Sequence, residues 1–158
     1  MRRRLRVTLV ASAIALVAAG PALALNAPST FGISRKGPLD VVSSILMTDR
    51  AVDMRGGWFH DGVSCLAFRR LTVRVLVEYQ APGSNTSQRF RARRSRVTQN
   101  CAEGGPNIGF TLRARRLGFA CPNGNWRPGR YNLSTTTRHV ASGQVAIATI
   151  DWTNPEAC

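Results

Sequence analysis

The sequence predicts an all-β protein built as an antiparallel β-sandwich, and three observations support that expectation. Apolar and polar residues alternate with a period of two in the clearest segments, which is typical of strands with one buried face. Turn-forming residues separate these segments at intervals of about 8–12 residues, as in sandwiches and barrels. No convincing amphipathic helical pattern follows residue 25. We therefore expect one domain of strands over residues 39–158.

The first 24 residues predict a cleaved signal peptide. Four of the first six residues are arginine, residues 7–20 are apolar or small, and Ala22 and Ala24 follow the helix-breaking Pro21. This layout is typical of an export signal, and its short, arginine-rich form suggests a bacterial protein. The apolar run is shorter than the about 20 residues of a membrane-spanning helix. We expect cleavage after Ala24, with Ala27 as the alternative, and a secreted, extracellular chain without a transmembrane anchor.

The predicted strands follow a leader. Residues 25–38 contain several prolines and glycines and predict an irregular segment. Residues 39–47 fit a strand or a short helix, and 49–63 fit a loop with a short strand at Trp58. The strongest strand is 71–79, where Leu, Val and Tyr alternate with Thr, Arg, Leu and Glu. Four further predicted strands cover residues 88–97, 108–120, 131–140 and 145–152.

One short motif carries a resemblance. Trp126-Arg127-Pro128-Gly129-Arg130-Tyr131 has the form aromatic-x-Pro-Gly-x-Tyr. It resembles the corner that leads into a late strand of immunoglobulin-like and fibronectin-like secreted sandwiches. The resemblance implies an immunoglobulin-like β-sandwich in which Tyr131 bonds back to nearby backbone and Trp126 packs into the core.

The four cysteines predict two disulfides. Cys65, Cys101, Cys121 and Cys158 all follow the predicted signal peptide, and an even number in an exported chain is typical of disulfides. An up-and-down order of strands would bring Cys65 to Cys101 and Cys121 to Cys158. A Greek-key crossing would favour Cys101–Cys121 with Cys65–Cys158 instead. The sequence contains no Cys-x-x-Cys pair, which is the spacing that would indicate a zinc site, so we expect no metal site.

The charge of the exported chain favours anionic partners. Without the signal peptide it would keep 18 of the 22 basic residues and all eight acids, a net charge of +10. Such an excess favours anionic polymers or surfaces and discourages self-association, so we expect a monomer. If three of the predicted strands are neighbours, their arginines share one sheet face, with a bulge near Arg93 and Arg94. The candidate polyanion-binding residues are Arg74, Arg89, Arg91, Arg93, Arg113 and Arg115. The alternative is a solvated basic face with no ligand.

The expected function is non-catalytic binding to an anionic polymer or surface of the cell envelope or extracellular space. Nucleic acid is not favoured, because Phe90 and Phe110 fall on the other side of their strands, where they cannot stack on bases. The sequence contains no motif for a cofactor, so none is expected. One alternative is a small hydrolase using His60 and Asp61, although no catalytic residue is assigned. Another is an extracellular protease inhibitor, or other protein-binding module, using the 122–129 loop.

Overall fold

A computed structural model describes residues 28–37, 39–60, 70–97 and 108–158 of the chain. The predicted signal peptide and its cleavage site after Ala24 lie outside these residues, as do Asp61, Cys65 and Cys101 and the side chain of His60. Within the described ranges, no helix has the length and apolar character needed to cross a membrane.

The described part of the chain consists almost entirely of strands, with one short helix. The elements are β1 (Ser29–Lys36), β2 (Leu39–Met47), β3 (Ala51–His60), β4 (Arg70–Gln80), β5 (Ser87–Val97), β6 (Ile108–Arg113), α1 (Ala114–Leu117), β7 (Gly129–His139) and β8 (Val145–Asn154).

The strands form two antiparallel sheets of four strands. One sheet has the order β1-β2-β3-β6 and the other has the order β5-β4-β7-β8. The chain passes from one sheet to the other after β3, after β5 and after β6, so the order is not the simple up-and-down one. The expected all-β class with two antiparallel sheets is thus confirmed, and Greek-key-like crossings are added to it.

A single apolar core lies between the sheets. The inward residues of β4 (Val73, Val75 and Val77) are buried, and so is Trp58 of β3. The sheets approach closely at Gly56, where any Cβ would clash with the side chains of Thr137 and Val73. This alternation of buried and exposed residues is the physical basis of the sandwich, because each strand can bury only one face.

The expectation of an irregular leader over 25–38 is wrong for most of that segment. β1 occupies residues 29–36 and pairs in continuous register with β2. A Cβ at Gly32 would overlap the carbonyl of Ile147 in β8, so β1 also lies against the edge of the other sheet. Pairing and packing therefore outweigh the weak strand preference of a Gly- and Ser-rich segment.

Two other predicted boundaries are corrected. The segment 51–60 is a full strand, although its two adjacent glycines predicted a loop around Trp58. It lies between β2 and β6 and is hydrogen-bonded on both sides, which overrides its composition. The predicted strand 108–120 ends at Arg113, and α1 follows. Gly118 ends this helical turn with φ of 79°, a left-handed conformation that glycine adopts without strain.

Candidate anion-binding face

The β4–β5 hairpin places four of the predicted arginines on one outward face. In the antiparallel register, Arg74 lies opposite Arg93, and Arg91 and Arg89 follow on the same side of β5. All four side chains are exposed, while Phe90 and Ala92 pack against the core. The pairing runs without interruption from residues 70 and 97 to residues 80 and 87. The bulge expected near Arg93 and Arg94 is therefore absent.

These arginines differ in their partners. Arg89 forms an ion pair with Glu78, which lies directly opposite, with 2.5 Å between Nε and Oε1. Arg74, Arg91 and Arg93 have no acidic partner among the residues that the structure describes. Cβ atoms of directly opposed residues are about 5 Å apart, so Arg74 and Arg93 form a like-charge cross-strand pair. Such a pair is electrostatically unfavourable in the absence of an anion.

A further arginine, Arg138, joins this face and was not predicted. It lies opposite Thr72 of β4, one step along the strand from Arg74, and is exposed. The alternating burial of β7 indicates that Arg138 points outward, but the sequence does not show that β7 pairs with β4. We call Arg74, Arg91, Arg93 and Arg138 the arginine face.

Two predicted members of the site lie elsewhere, which corrects the expected set. Arg113 is the last residue of β6, which pairs with β3 in the other sheet, so Arg113 lies opposite Ala51. Arg115 belongs to α1, not to a strand, and its guanidinium donates to the carbonyl of Pro122 at 3.2 Å. The reason is topological: the chain crosses to the other sheet after β5, so β5 and β6 are not paired neighbours.

Arg94 has a structural role on the inner side of β5. Its guanidinium donates to the carbonyl of Gly109 at 2.8 Å and lies 4.6 Å from the ring centre of Phe110. These contacts join β5 to β6, the two edge strands on this side of the sandwich. Arg94, Ser95, Arg96, Ile108 and Gly109 line a cavity of about 320 Å³ beside this contact. Arg94 is thus already engaged, unlike the residues of the arginine face.

His139 packs in the core beside the turn between β7 and β8. This residue is fully buried at the end of β7, and its ring packs edge-on against Trp58 with 6.0 Å between centroids. The backbone N–H of Ser142 donates to Nδ1 at 3.2 Å, and the Ser142 hydroxyl lies 2.8 Å from the same atom. Burial lowers the pKa of His139. Its Nδ1 accepts the backbone hydrogen bond of Ser142 and thereby fastens the turn before β8.

The loop 122–129 is fastened to the core. Trp126 is buried, and its indole N–H donates to the carbonyl of Thr48 at 2.8 Å. The Tyr131 hydroxyl donates to the carbonyl of Arg127 at 2.9 Å, and burial raises the pKa of Tyr131. Asn154 of β8 donates to the carbonyl of Trp126 at 2.8 Å. Trp126 is thus buried at this end of the core, and Tyr131 is hydrogen-bonded to the backbone of the loop.

A disulfide joins Cys121 to Cys158, with 5.2 Å between the Cα atoms. It closes the end where β7 begins and β8 ends, because those two strands form a hairpin. This bond is one of the two expected pairings, and it excludes the alternative set in which Cys121 bonds Cys101. The other expected pairing, Cys65–Cys101, lies outside the described residues.

Two further observations bear on function. Within the described ranges, no three His, Cys, Asp or Glu side chains come together as they would around a metal ion. In comparisons with known proteins, the chain matches no family model, no curated protein and no solved structure. The arginine face is the strongest candidate site among the residues that the structure describes.

Proposed function

We propose that this protein is a secreted, non-catalytic binding protein that engages an anionic polymer of the cell envelope or extracellular space through the arginine face. The observation that carries the proposal is the directly opposed pair Arg74 and Arg93, flanked by Arg91 and Arg138. Opposed like charges lower the stability of a sheet. A bound polyanion would remove that cost and turn the cluster into an attractive site.

The geometry of the face favours a repeating anion over a single small one. Alternate residues along a strand are about 7 Å apart and residues on paired strands about 5 Å apart, so the arginines project from the sheet in an array with short, regular spacing. Planar guanidinium groups form paired hydrogen bonds with phosphate, sulfate or carboxylate groups. An array of this kind matches a polymer whose charged groups repeat at short intervals.

The residues that surround the arginines on the outer face indicate which class of polymer is favoured. The outward residues of β4, β5, β7 and β8 are polar, charged or aliphatic, and none of them is aromatic. Proteins that bind single-stranded nucleic acid usually stack bases on aromatic rings. We therefore favour a phosphate- or carboxylate-bearing wall polymer over nucleic acid.

The same proposal includes an immunoglobulin-like character for the sandwich and export of a monomeric chain. The Tyr131–Arg127 hydrogen bond at the start of β7 supports the first part, since it has the form of a tyrosine corner. The Cys121–Cys158 bond supports export, because disulfides persist in oxidising compartments. The basic amino-terminal segment with its apolar run supports cleavage of a signal peptide.

The test is a binding assay on the oxidised chain without residues 1–24. Its partners are a phosphate-rich wall polymer, a polyuronate, a heparin-like sulfate and DNA. The variant Arg74→Thr/Arg91→Thr/Arg93→Thr removes three charges from the arginine face. A matched control, Lys36→Thr/Arg113→Thr/Arg116→Thr, removes three charges elsewhere. We expect affinity for one polymer to fall about tenfold or more in the first variant and to change little in the control.

Two results would contradict the proposal. Equal losses in both variants would mean that only the net charge attracts the polymer. Absence of binding to all four polymers at about 0.15 M salt, where surface charges are largely screened beyond about 8 Å, would remove the proposed ligand class.

The protease-inhibitor alternative has one structural observation in its favour. The turn after Cys121 is rigid: the backbone N–H of Cys121 donates to the carbonyl of Asn125 at 2.8 Å, and the disulfide braces the same residue. Titration against a panel of extracellular proteases tests it. Inhibition that reaches completion at equimolar protein would favour this function, and unchanged protease activity would reject it.

A further inference from the structure

The outer face of the other sheet carries a cluster of exposed apolar side chains. Phe31 and Ile33 of β1, Leu46 of β2 and Phe59 of β3 point away from the core, and the half-buried Val42 lies opposite Ile33. We call these five residues the apolar face. Eight large hydrophobic residues are exposed in the described ranges, and four of them lie here. The concentration on three adjacent strands distinguishes them from scattered surface residues.

The apolar face is prominently exposed. Phe31 is 62% exposed and Phe59 is 47% exposed, the first on an edge strand and the second two strands away. Between them lie small residues: Ser44 is opposite Phe31, and Gly57 is opposite Val42. Apolar side chains that project side by side from one face of a sheet suit a partner with a broad surface.

Cations surround the apolar face, and its acids are already paired. Asp40 lies 3.4 Å from the guanidinium of Arg35. Asp53 accepts a hydrogen bond from Thr111 at 2.6 Å and lies 3.8 Å from Arg55.

Two cations at the margins remain. Arg113 lies beside β3 on the outer side of the sheet, and Lys36 ends β1 at the edge of the sheet, opposite the inward-facing Leu39. Neither has an acidic partner within the described ranges. The outward side of this sheet thus carries Arg35, Arg55 and Arg113 against Asp40 and Asp53, a small positive excess among its apolar residues.

We propose that the apolar face docks onto an anionic phospholipid bilayer. Apolar side chains flanked by basic ones are the pattern of proteins that lie in a membrane interface, where rings enter the boundary between headgroups and acyl chains. Each basic residue near an anionic leaflet adds to the attraction, and its aliphatic stem extends along the apolar surface. A second copy of this chain is the weaker fit, because two molecules with a large positive charge repel each other.

This proposal does not rest on the arginine face, which lies on the outer side of the other sheet. A molecule docked through the apolar face would turn the arginine face away from the bilayer. The protein would then hold a polyanion at a lipid surface. The two surfaces can be removed separately, which keeps the two proposals experimentally distinct.

The experiment is flotation of the oxidised chain, without residues 1–24, on vesicles of phosphatidylcholine alone or mixed with phosphatidylglycerol. We expect binding to the mixed vesicles. Phe31→Ser/Phe59→Ser should weaken it about tenfold or more, because burying one phenyl ring is worth at least that factor. The matched control Val97→Ser/Ile147→Ser removes two comparably exposed apolar side chains outside the apolar face and should change binding less than about threefold.

A second measurement reports the docked surface directly and does not depend on a weakened variant. In Phe31→Trp, lipids brominated on their acyl chains should quench the fluorescence of the new tryptophan more than that of the parent protein. Urea unfolding of each variant confirms that the fold is retained.

Several outcomes would overturn the inference. Flotation that is unchanged in Phe31→Ser/Phe59→Ser but lost in Arg74→Thr/Arg91→Thr/Arg93→Thr would assign lipid binding to the arginine face, and the proposed polyanion function would stand. Absence of flotation on mixed vesicles would exclude the bilayer. Sedimentation of the parent as a dimer, and of the double phenylalanine variant as a monomer, would assign the apolar face to a second copy of the chain.

Discussion

The two ends of the β4–β7 pair differ in whether their polar and charged side-chain groups have bonding partners. At one end lies an aromatic corner, formed by Tyr79, Phe119, Trp126, Tyr131 and Trp152, with Tyr131 5.0–6.5 Å from each of the other four rings. Toward the other end, on the outer side of the same sheet, lies the arginine face, where Arg74 is directly opposite Arg93. The corner has hydrogen-bonded polar atoms and the Cys121–Cys158 disulfide, while the arginine face has no acidic partner within the described ranges.

This difference indicates which region stabilises the fold. The hydroxyls of Tyr79 and Tyr131 and the indole of Trp126 all donate to backbone carbonyls at 2.8–3.0 Å. Buried rings with satisfied polar atoms stabilise a fold. Clustered surface charges lower stability and are tolerated when another part of the molecule supplies it. Substitutions at the two ends should therefore have effects of opposite sign on the free energy of unfolding.

The largest expected effect follows truncation of Trp126. Trp126→Ala should lower the free energy of unfolding by about 3–5 kcal/mol, because it leaves a cavity in the corner and removes the donor to the Thr48 carbonyl. Urea unfolding of the oxidised protein, followed by circular dichroism, measures it. Val97→Ala, at a site that is 51% exposed, is the control and should shift stability by less than about 0.5 kcal/mol. A loss no larger than that of the control would show that the corner does not hold the fold.

Removal of the disulfide should have the next largest effect. Cys121 and Cys158 are 37 residues apart, and a loop of that length gives about 3–4 kcal/mol on the loop-entropy model. Cys121→Ala/Cys158→Ala should therefore unfold at a lower urea concentration than the parent. Reductant cannot lower its stability by breaking this bond, because the variant lacks it. If the loss is below about 1 kcal/mol, the hydrogen bonds of Asn154 and the rings alone hold the end of β8.

The features that were predictable from the sequence are those set by local spacing. The period-two alternation over 71–79 gives the inward valines of β4, and the same spacing gives Arg89, Arg91 and Arg93 on one side of β5. The Cys121–Cys158 bond was predictable because it closes a hairpin, whose ends meet whatever the rest of the topology is. The residues Trp126 and Tyr131 were predictable from their motif.

The features that were not predictable depend on which sheet receives each strand. The sequence around β6 predicts a strand beside β5, but β6 pairs with β3 in the other sheet. Arg113 is therefore not part of the arginine face. Arg138 is part of it, because β7 pairs with β4. Pairing between distant strands depends on packing across the core, such as the close approach at Gly56, and leaves little trace in local spacing. β1 was missed for the same reason, because its stability comes from β2 and β8.

The smallest expected effect on the free energy of unfolding comes from replacing either of two arginines on β5. It tests most directly whether the charges of the arginine face repel each other. Arg93 opposes Arg74, while Arg89 opposes Glu78 and forms an ion pair with it. Arg93→Thr should raise the free energy of unfolding by about 0.2–1 kcal/mol at low salt, since it removes a like-charge pair. Arg89→Thr should raise the free energy of unfolding less than Arg93→Thr does, because it removes an attractive ion pair whose energy is of similar size.

Both variants introduce the same residue on the same strand, so the difference between them isolates the charge effect from strand propensity. Urea unfolding at low salt and at about 1 M salt measures it, and the difference should shrink as the screening length falls to about 3 Å. If Arg93→Thr destabilises the protein at low salt, then Arg74 and Arg93 do not repel each other. The arginine face would then lack the electrostatic cost on which its proposed function rests.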